Sequence, residues 1–258
     1  MLIVRISAMG AVLAMAMTLP AMAADYIPQP PVIEYEQPAP VYGGWYLRGH
    51  IGMSNQRLSR LENAKNSAGN FEWVQRGSFD SAPIFGGGVG YKVNDHLRLD
   101  GIVEYRGKAS FSALDRYPGG TGWSAGTNEY DAQKSELLLM ANVYADLGTF
   151  RGITPYIGAG LGASRNTIHN FRDVNVPQNG VAYGGTKSEW QLAWALHAGV
   201  GIQATDRMTI DLGYSYLSLG DGKTHDVVTY DGAQNVGPFT FKNITSHDFK
   251  LGVRYALY

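Results

Sequence analysis

Cysteine is absent from the 258 residues, and charged residues make up only 17% of them. The first absence excludes disulfides, thiolate-bound metals and thiol chemistry. The second places the chain below the roughly 25% charge of ordinary soluble domains. A net charge of −1 lacks the basic footprint of nucleic-acid-binding proteins, so we predict no nucleic-acid partner. Beyond the N-terminus, no apolar run reaches the ~20 residues that a spanning helix needs.

The N-terminus has the features of a secretory signal. Arg5 precedes a mostly apolar or small stretch over residues 6–19, and Pro20 follows it. An A-x-A site then predicts cleavage between Ala23 and Ala24. Because the apolar core is short for a membrane anchor, we expect residues 1–23 to be a signal peptide and the protein to be exported.

Residues 24–44 contain prolines at positions 28, 30, 31, 38 and 40. Proline at this density keeps a chain extended and unpaired. We therefore predict a proline-rich periplasmic linker before a third region at residues 45–258. It acts as a spacer, and the alternative is a contact for the cell wall or a periplasmic partner.

From residue 45 onward, apolar and polar residues alternate with period two, which is typical of strands with two different environments. The segments are long enough for membrane-spanning strands of ~9–11 residues. We predict an all-β fold, an eight-stranded antiparallel transmembrane up-and-down β-barrel. The eight segments are 45–54, 82–93, 96–106, 135–147, 154–166, 189–204, 207–217 and 244–258.

The predicted connections alternate strictly between short and long. Short turns lie at 94–95, 148–153 and 205–206, whereas long polar loops cover 55–81, 107–134, 167–188 and 218–243. Outer-membrane barrels have short periplasmic turns and long extracellular loops. The pattern therefore places both ends of the barrel segment in the periplasm.

A soluble lipocalin-like barrel would point its apolar face inward, and an outer-membrane barrel points it into lipid. Aromatic residues on the apolar faces lie near the ends of the predicted strands. This placement favours the outer-membrane barrel, because membrane proteins carry rings of aromatic side chains at the membrane boundary. The opposite faces carry charges of both signs, which a closed interior requires. We predict a polar plug in the lumen, and its charged residues are Arg48, Lys92, Arg98, Asp100, Glu104, Arg106, Glu136, Asp146, Asp211, Asp248, Lys250 and Arg254.

Three stretches resemble a known family: FGGGVGYKVNDHLRLDGIVEYRG (85–107), TPYIGAGLG (154–162) and the ending GVRYALY. They are similar to the small opacity-like or immunogenic outer-membrane β-barrel proteins of Gram-negative, especially alphaproteobacterial, cells. The resemblance implies an outer-membrane location over residues 45–258. That family includes surface antigens, adhesins, envelope-integrity proteins and haemin binders, and it supplies no shared catalytic motif.

The resemblance also implies a C-terminal signal for the barrel insertion machinery. Its residues are Phe249, Leu251, Val253, Tyr255, Leu257 and Tyr258. All but Tyr258 are in phase on the predicted lipid face. We expect either that Leu257 completes this face or that the backbone bulges at the end.

Catalytic motifs are weak in this sequence. Ser246, His247 and Asp248 are adjacent on a strand and point to opposite faces, so they cannot form a triad. His169, His225 and His247 lie toward the predicted loops, where they could reach haem or a metal. We predict no enzyme, no bound cofactor and no metal site.

We therefore expect a non-enzymatic outer-membrane surface protein that acts through four long extracellular loops. The alternatives are a haem-binding, ligand-binding or adhesin protein, a lipid A-modifying barrel enzyme and a small pore. The sequence contains no H-x-S pair on one strand face, so it does not support the enzyme alternative. The expected partners are outer-membrane lipids and lipopolysaccharide, the insertion machinery and an extracellular ligand.

Overall fold

A computed structural model describes residues 44–64, 71–122 and 124–257. The predicted signal peptide with its cleavage site, nearly all of the linker and Tyr258 lie outside this range. The described part contains no helix long and apolar enough to cross a membrane. Its strands are β1 (Gly44–Arg57), β2 (Arg60–Asn63), β3 (Glu72–Phe79), β4 (Ala82–Lys92), β5 (Leu97–Tyr117), β6 (Gly126–Asp146), β7 (Ile153–Asn175), β8 (Gly180–Gly184), β9 (Lys187–Gln203), β10 (Met208–Lys223), β11 (Val227–Thr229) and β12 (Phe239–Ala256).

Eight of these strands close into an antiparallel ring in the order β1-β4-β5-β6-β7-β9-β10-β12. The ring is completed by β1 and β12, which pair from Tyr46 with Ala256 to Arg57 with Thr245. Closure leaves no unpaired sheet edge in lipid, where each unsatisfied backbone group is costly. The predicted eight-stranded barrel is confirmed, and the strand that ends the sequence closes on the one that begins the barrel.

The outer wall of the ring carries an apolar band. On β12, Phe249 is 62% exposed while the neighbouring Asp248 is fully buried, and this alternation continues down the strand. Apolar side chains facing outward are what a barrel in a bilayer needs. Other members of the band are Trp45, Ile51, Phe85, Val89, Tyr105, Val143, Ile157, Trp194, Leu212 and Val253.

The prediction of four long polar loops is wrong. Most of the residues in those four regions extend the ring strands above the apolar band or form the additional strands β2, β3, β8 and β11. For example, β5 and β6 remain paired as far as Tyr117 and Gly126. The additional strands attach to this extension, with β3 on β5, β8 on β7 and β11 on β8. We call this part of the molecule the extracellular sheet.

The physical reason for the error is a change of face within the strands. In β5, one extra residue between Arg106 and Ala109 forms a bulge opposite β6. Below the bulge, odd-numbered residues such as Tyr105 face outward, and above it Ala109, Phe111 and Ala113 are buried. The same apolar series therefore faces lipid in the membrane and the protein interior outside it.

Three other strands change face at a residue with positive φ. These residues are Asn170 in β7 (φ 49°), Gly220 in β10 (φ 73°) and Asn243 in β12 (φ 50°). Glycine and asparagine tolerate this left-handed conformation best. At each position the buried phase of the strand shifts by one residue, so that Phe171 and Phe241 point inward.

The buried face of the extracellular sheet is an aromatic core. Phe111 and Phe241 have ring centroids 4.9 Å apart, and Phe171 and Phe239 are 4.6 Å apart. Tyr130 packs on Phe239 at 5.4 Å. The core lies above the charged side chains in the lumen, and it makes the sheet a packed structure.

Replacing Phe241 by alanine should lower the unfolding temperature of the folded protein in detergent. A Phe→Ala change in a packed core costs about 3–5 kcal/mol, and Phe241 is fully buried. Heat-dependent gel migration measures the change. Phe150→Ala is the control, because this ring is 72% exposed near the periplasmic end. Equal unfolding temperatures for the two variants would contradict the aromatic core.

Candidate functional site

The first candidate site is the interior of the barrel. Near its periplasmic end, two arginines each form a bidentate ion pair with a carboxylate. Arg98 donates to both oxygens of Asp146, at 2.7 and 2.8 Å. Arg254 does the same with Asp211, at 2.6 and 2.9 Å. Bidentate pairs of this kind fix the positions of both side chains.

One layer further in, Asp100 is shared between several donors. Arg48 Nη1 lies 2.6 Å from Asp100 Oδ2 and 3.0 Å from the Tyr144 hydroxyl. Asn142 donates to Asp100 Oδ1 at 2.8 Å, and its own oxygen lies 3.1 Å from His197 Nε2. These contacts join β1, β5, β6 and β9 across the lumen.

Glu104 is the most heavily paired group in the interior. Its carboxylate contacts His50 at 2.8 Å, Arg106 at 2.6 Å and Lys250 at 2.6 Å. Arg106 also binds Asp248 at 2.6 Å. Glu104, Arg106 and Asp248 are fully buried. Each charge thus has an opposite partner, which is the condition under which buried ions are tolerated.

Lys134 and Gln56 complete this network and were missed from sequence. Lys134 contacts Glu136, and it also donates to Gln56 Oε1 at 2.9 Å. The side chain of Lys134 is fully buried. The sequence placed Lys134 at the end of a loop, but Lys134 shares the even-numbered buried phase of Glu136 and Leu138 on β6, and that alternation was the signal that could have found it.

Lys92 differs from the other predicted plug residues. It pairs with Asp95 at 2.8 Å in the turn between β4 and β5, where both side chains are partly exposed. It lines a polar vestibule of about 410 Å³ at the periplasmic end, together with Asp206 and Arg254. The structure places all the remaining predicted plug residues in buried or nearly buried ion pairs.

Glycines make room for these large polar groups. A Cβ at Gly90 would lie 2.1 Å from the ring of Tyr46, and one at Gly160 would lie 2.0 Å from Asn142 Oδ1. Only a residue without a side chain allows such close approach. Between Arg48, His50 and His197 the remaining cavity is about 20 Å³.

The second candidate site is the extracellular sheet, which exposes apolar side chains at its far end. Val176 is 69% exposed, Tyr183 55% and Tyr230 75%. A groove of about 580 Å³ runs along the outer wall of the sheet and reaches up to Tyr183. It is lined by Ser110, Asp131, Gln133, Asn170, Arg172 and Tyr183.

A pair of carboxyl groups lies on the inner side of this sheet. Tyr130 donates to Asp115 Oδ2 at 2.8 Å, and Asp173 lies opposite Tyr130 in the register. Burial, together with the nearby Asp115, raises the pKa of Asp173 to about 7. Asp173 Oδ1 is buried and has no hydrogen-bond partner among the described residues.

The structure does not bring the predicted histidines together. His225 accepts from the backbone of Asp226, and His247 lies 2.7 Å from the Tyr214 hydroxyl. Ser246 and Asp248 face the lumen while His247 faces outward, as strand geometry requires. Within the described residues no group of three or more His, Asp or Glu side chains could hold a metal ion.

Sequence reasoning also missed a serine–histidine contact. Ser135 Oγ and His169 Nε2 are 2.9 Å apart on neighbouring strands β6 and β7. Nδ1 of His169 is 3.5 Å from the Thr186 hydroxyl. This is not the arrangement of a triad, in which a carboxylate orients the histidine.

The end of the described chain continues the apolar band. Phe249, Leu251, Val253 and Tyr255 are exposed on the outer wall, and so is Leu257. The Leu257 amide donates to the Trp45 carbonyl at 2.9 Å and thereby prolongs the β1–β12 pairing. The role of this segment as an assembly signal stays a prediction.

Glu104→Ala should destabilise the barrel by about 3–5 kcal/mol, because it leaves cations buried without their partner. The matched control is Glu62→Ala, which removes a carboxylate from an exposed pair with Arg60 and should cost at most ~1 kcal/mol. Denaturant-induced unfolding in detergent, followed by tryptophan fluorescence, measures both. A Glu104 variant as stable as the control would show that the network contributes little.

Asp173→Asn should remove a pH dependence of the extracellular sheet. Because the pKa of Asp173 is raised from 3.8 to about 7, its contribution to folding is full below about pH 4 and is lost as the pH rises to 7. The backbone amides of residues 171–175 should therefore exchange more slowly in the variant than in the wild type at pH 8, and at the same rate at pH 4. Hydrogen exchange, corrected for intrinsic rates, measures this. The exposed Asp226→Asn should change nothing, and a wild type without pH dependence would refute the assignment.

The comparisons with known proteins agree with the architecture. The family model of the outer membrane protein beta-barrel domain matches residues 9–256. An uncharacterized protein of Brucella suis is 32% identical over 265 residues, covering 91% of this chain and 92% of the relative. A putative adhesin of Rickettsia prowazekii is 26% identical over 215 residues, covering 83% and 87%.

Among solved structures, the outer membrane protein OprG of Pseudomonas aeruginosa matches with a TM-score of 0.50 and 14% identity. The match covers 82% of this chain and 96% of OprG, and at this identity it shows the fold alone. The narrower resemblance to opacity-like proteins stays a prediction. With the family model matching nearly the whole chain, the protein belongs to the outer membrane β-barrel family and is located in the outer membrane of a Gram-negative cell.

Proposed function

We propose that this chain is a non-enzymatic surface protein whose extracellular sheet makes adhesive contacts outside the cell. The observation that carries the proposal is the extension of paired strands beyond the apolar band, supported by the aromatic core. Mobile loops would have to be ordered when a partner binds. A packed sheet is ordered already, so binding costs less conformational entropy.

The far end of the extracellular sheet supports the same proposal. Val176, Tyr183 and Tyr230 are exposed there, although they are apolar or aromatic. Tyrosine is enriched in binding surfaces because its ring supplies contact area and its hydroxyl a hydrogen bond. The rickettsial relative described as a putative adhesin is consistent with this role.

The interior of the barrel favours a scaffold over a pore. Paired charges and aromatic rings fill the lumen, and the cavity between Arg48, His50 and His197 has space for about one water molecule. We propose that the barrel anchors and orients the sheet and that steady ion conduction is not its function. The described residues place no carboxylate against His169, so its contact with Ser135 does not favour an enzyme.

The test compares bacteria that display the wild type with bacteria that display the variant Val176→Ser, Tyr183→Ser, Tyr230→Ser. The host is a non-adherent laboratory strain, and the readout is the number of cells bound to epithelial layers and matrix-coated wells. The triple variant should lose most of the added binding, at least about fivefold, since aromatic anchors dominate interfaces. Phe150→Ser is the control, because this ring is about as exposed as Tyr230 but lies at the periplasmic end.

Surface amounts must be equal by antibody labelling before the counts are compared. A wild type that binds no better than the empty host, together with a deletion mutant that attaches as well as its parent strain, would contradict the proposal.

A further inference from the structure

The outer wall just above the apolar band carries a cluster of cations and hydroxyls on β5, β6, β7 and β9. We call it the wall patch and define it as Lys108, Ser135, Arg165, Thr167, His169 and Ser188. All six side chains belong to the outward-facing phase of their strands. The patch is independent of the far end of the sheet, where the proposed adhesive surface lies.

The register places the wall patch at the depth of lipid headgroups. Arg165 lies between Leu137 on β6 and Trp190 on β9, and Leu137 is in turn opposite Tyr105. Arg165 therefore sits in the last row of the apolar band, among the aromatic side chains that mark the membrane boundary. A cation in this row can reach an anionic headgroup from the protein side.

The next row upward is made of hydroxyl groups. Ser135 lies opposite Thr167, and Thr167 lies opposite Ser188, with 2.9 Å between the last two hydroxyl oxygens. His169 is held against Ser135 at 2.9 Å. Lys108 joins this row through the β5 bulge, which turns it outward. These groups offer several hydrogen-bond donors on one side of the barrel.

The two cations of the wall patch have no acidic partner in the part of the chain that the structure describes. Neither Lys108 nor Arg165 forms an ion pair with a described residue, whereas Arg172 higher on the same wall is paired with Asp131. Burial, together with the nearby Lys108, lowers the pKa of His169. The patch is thus a region of positive potential that faces the outer leaflet.

We propose that the wall patch binds the phosphate of a phosphorylated glycolipid of the outer leaflet. Lys108 and Arg165 supply the charge, and the partly exposed Thr167 and Ser188 offer a hydroxyl to phosphate oxygens or sugar hydroxyls, whereas the buried Ser135 holds His169 in place. Charge-assisted hydrogen bonds to phosphate are among the strongest available at a surface. The extracellular sheet projects above the patch, so a bound glycolipid would steady its base against the membrane.

The experiment uses the mature protein in phosphatidylcholine nanodiscs that contain a small share of bisphosphorylated lipid A. Native mass spectrometry counts the lipid A molecules retained when the disc is removed. Lys108→Gln with Arg165→Gln should lower the apparent affinity about tenfold, which corresponds to about 1.4 kcal/mol shared between two contacts. Arg151→Gln with Arg207→Gln removes the same charge from exposed positions at the periplasmic end and should match the wild type.

Dephosphorylated lipid A should bind the wild type as weakly as the bisphosphorylated form binds the double variant. Equal retention by the wild type and the Lys108/Arg165 variant would overturn the proposal and leave two solvated cations. Phosphatidylglycerol retained as well as lipid A would overturn the glycolipid assignment. If the wild type removes an acyl chain from lipid A and Ser135→Ala abolishes this reaction, the proposed binding site would instead be a catalytic site.

Discussion

Closing a sheet in lipid obliges the charged side chains within the membrane-spanning part of the strands, away from the headgroup boundary, to share one narrow interior. The rest of the structure depends on this constraint. A charge left alone there would be very costly, so cations and anions have to meet across the lumen. Glu104 shows the result, since it binds groups from β1, β5 and β12 at once. The same crowding requires glycine wherever a tyrosine or amide lies against the wall.

Outside the membrane the constraint is reversed, because water replaces lipid around the same strands. The strands exchange their buried and exposed faces at single extra residues or at residues in the left-handed conformation, and no additional domain is needed. At the β5 bulge, an apolar series that faced lipid at Tyr105 becomes core at Phe111. Asn170 and Asn243 achieve the same change for β7 and β12. The barrel is thus continuous, with its apolar side exchanged at the membrane surface.

The spanning strands could be predicted because lipid imposes period two on residues such as Leu251 and Val253. The strands of the extracellular sheet were not predicted, because the alternation of apolar and polar residues continues there with the inward and outward faces exchanged. Ala109, Phe111 and Ala113 already alternate with polar residues, but Gly107 and Asn170 resemble loop residues in sequence. For the lumen, the sequence predicted which charged residues face inward but not which of them form ion pairs with one another. Which cation meets Glu104 depends on the stagger between strands far apart in the sequence, and the contact of Ser135 with His169 depends on the register between the neighbouring strands β6 and β7.

The two proposed kinds of recognition lie at different heights above the membrane. At the far end, exposed tyrosines stand on a sheet whose order is already established by the aromatic core, so a partner need not supply the ordering free energy. At the base, Lys108 and Arg165 face lipid headgroups and can hold the sheet upright. Because rigidity at the tip is useful only if the base does not tilt freely, a headgroup contact and an adhesive surface would reinforce each other.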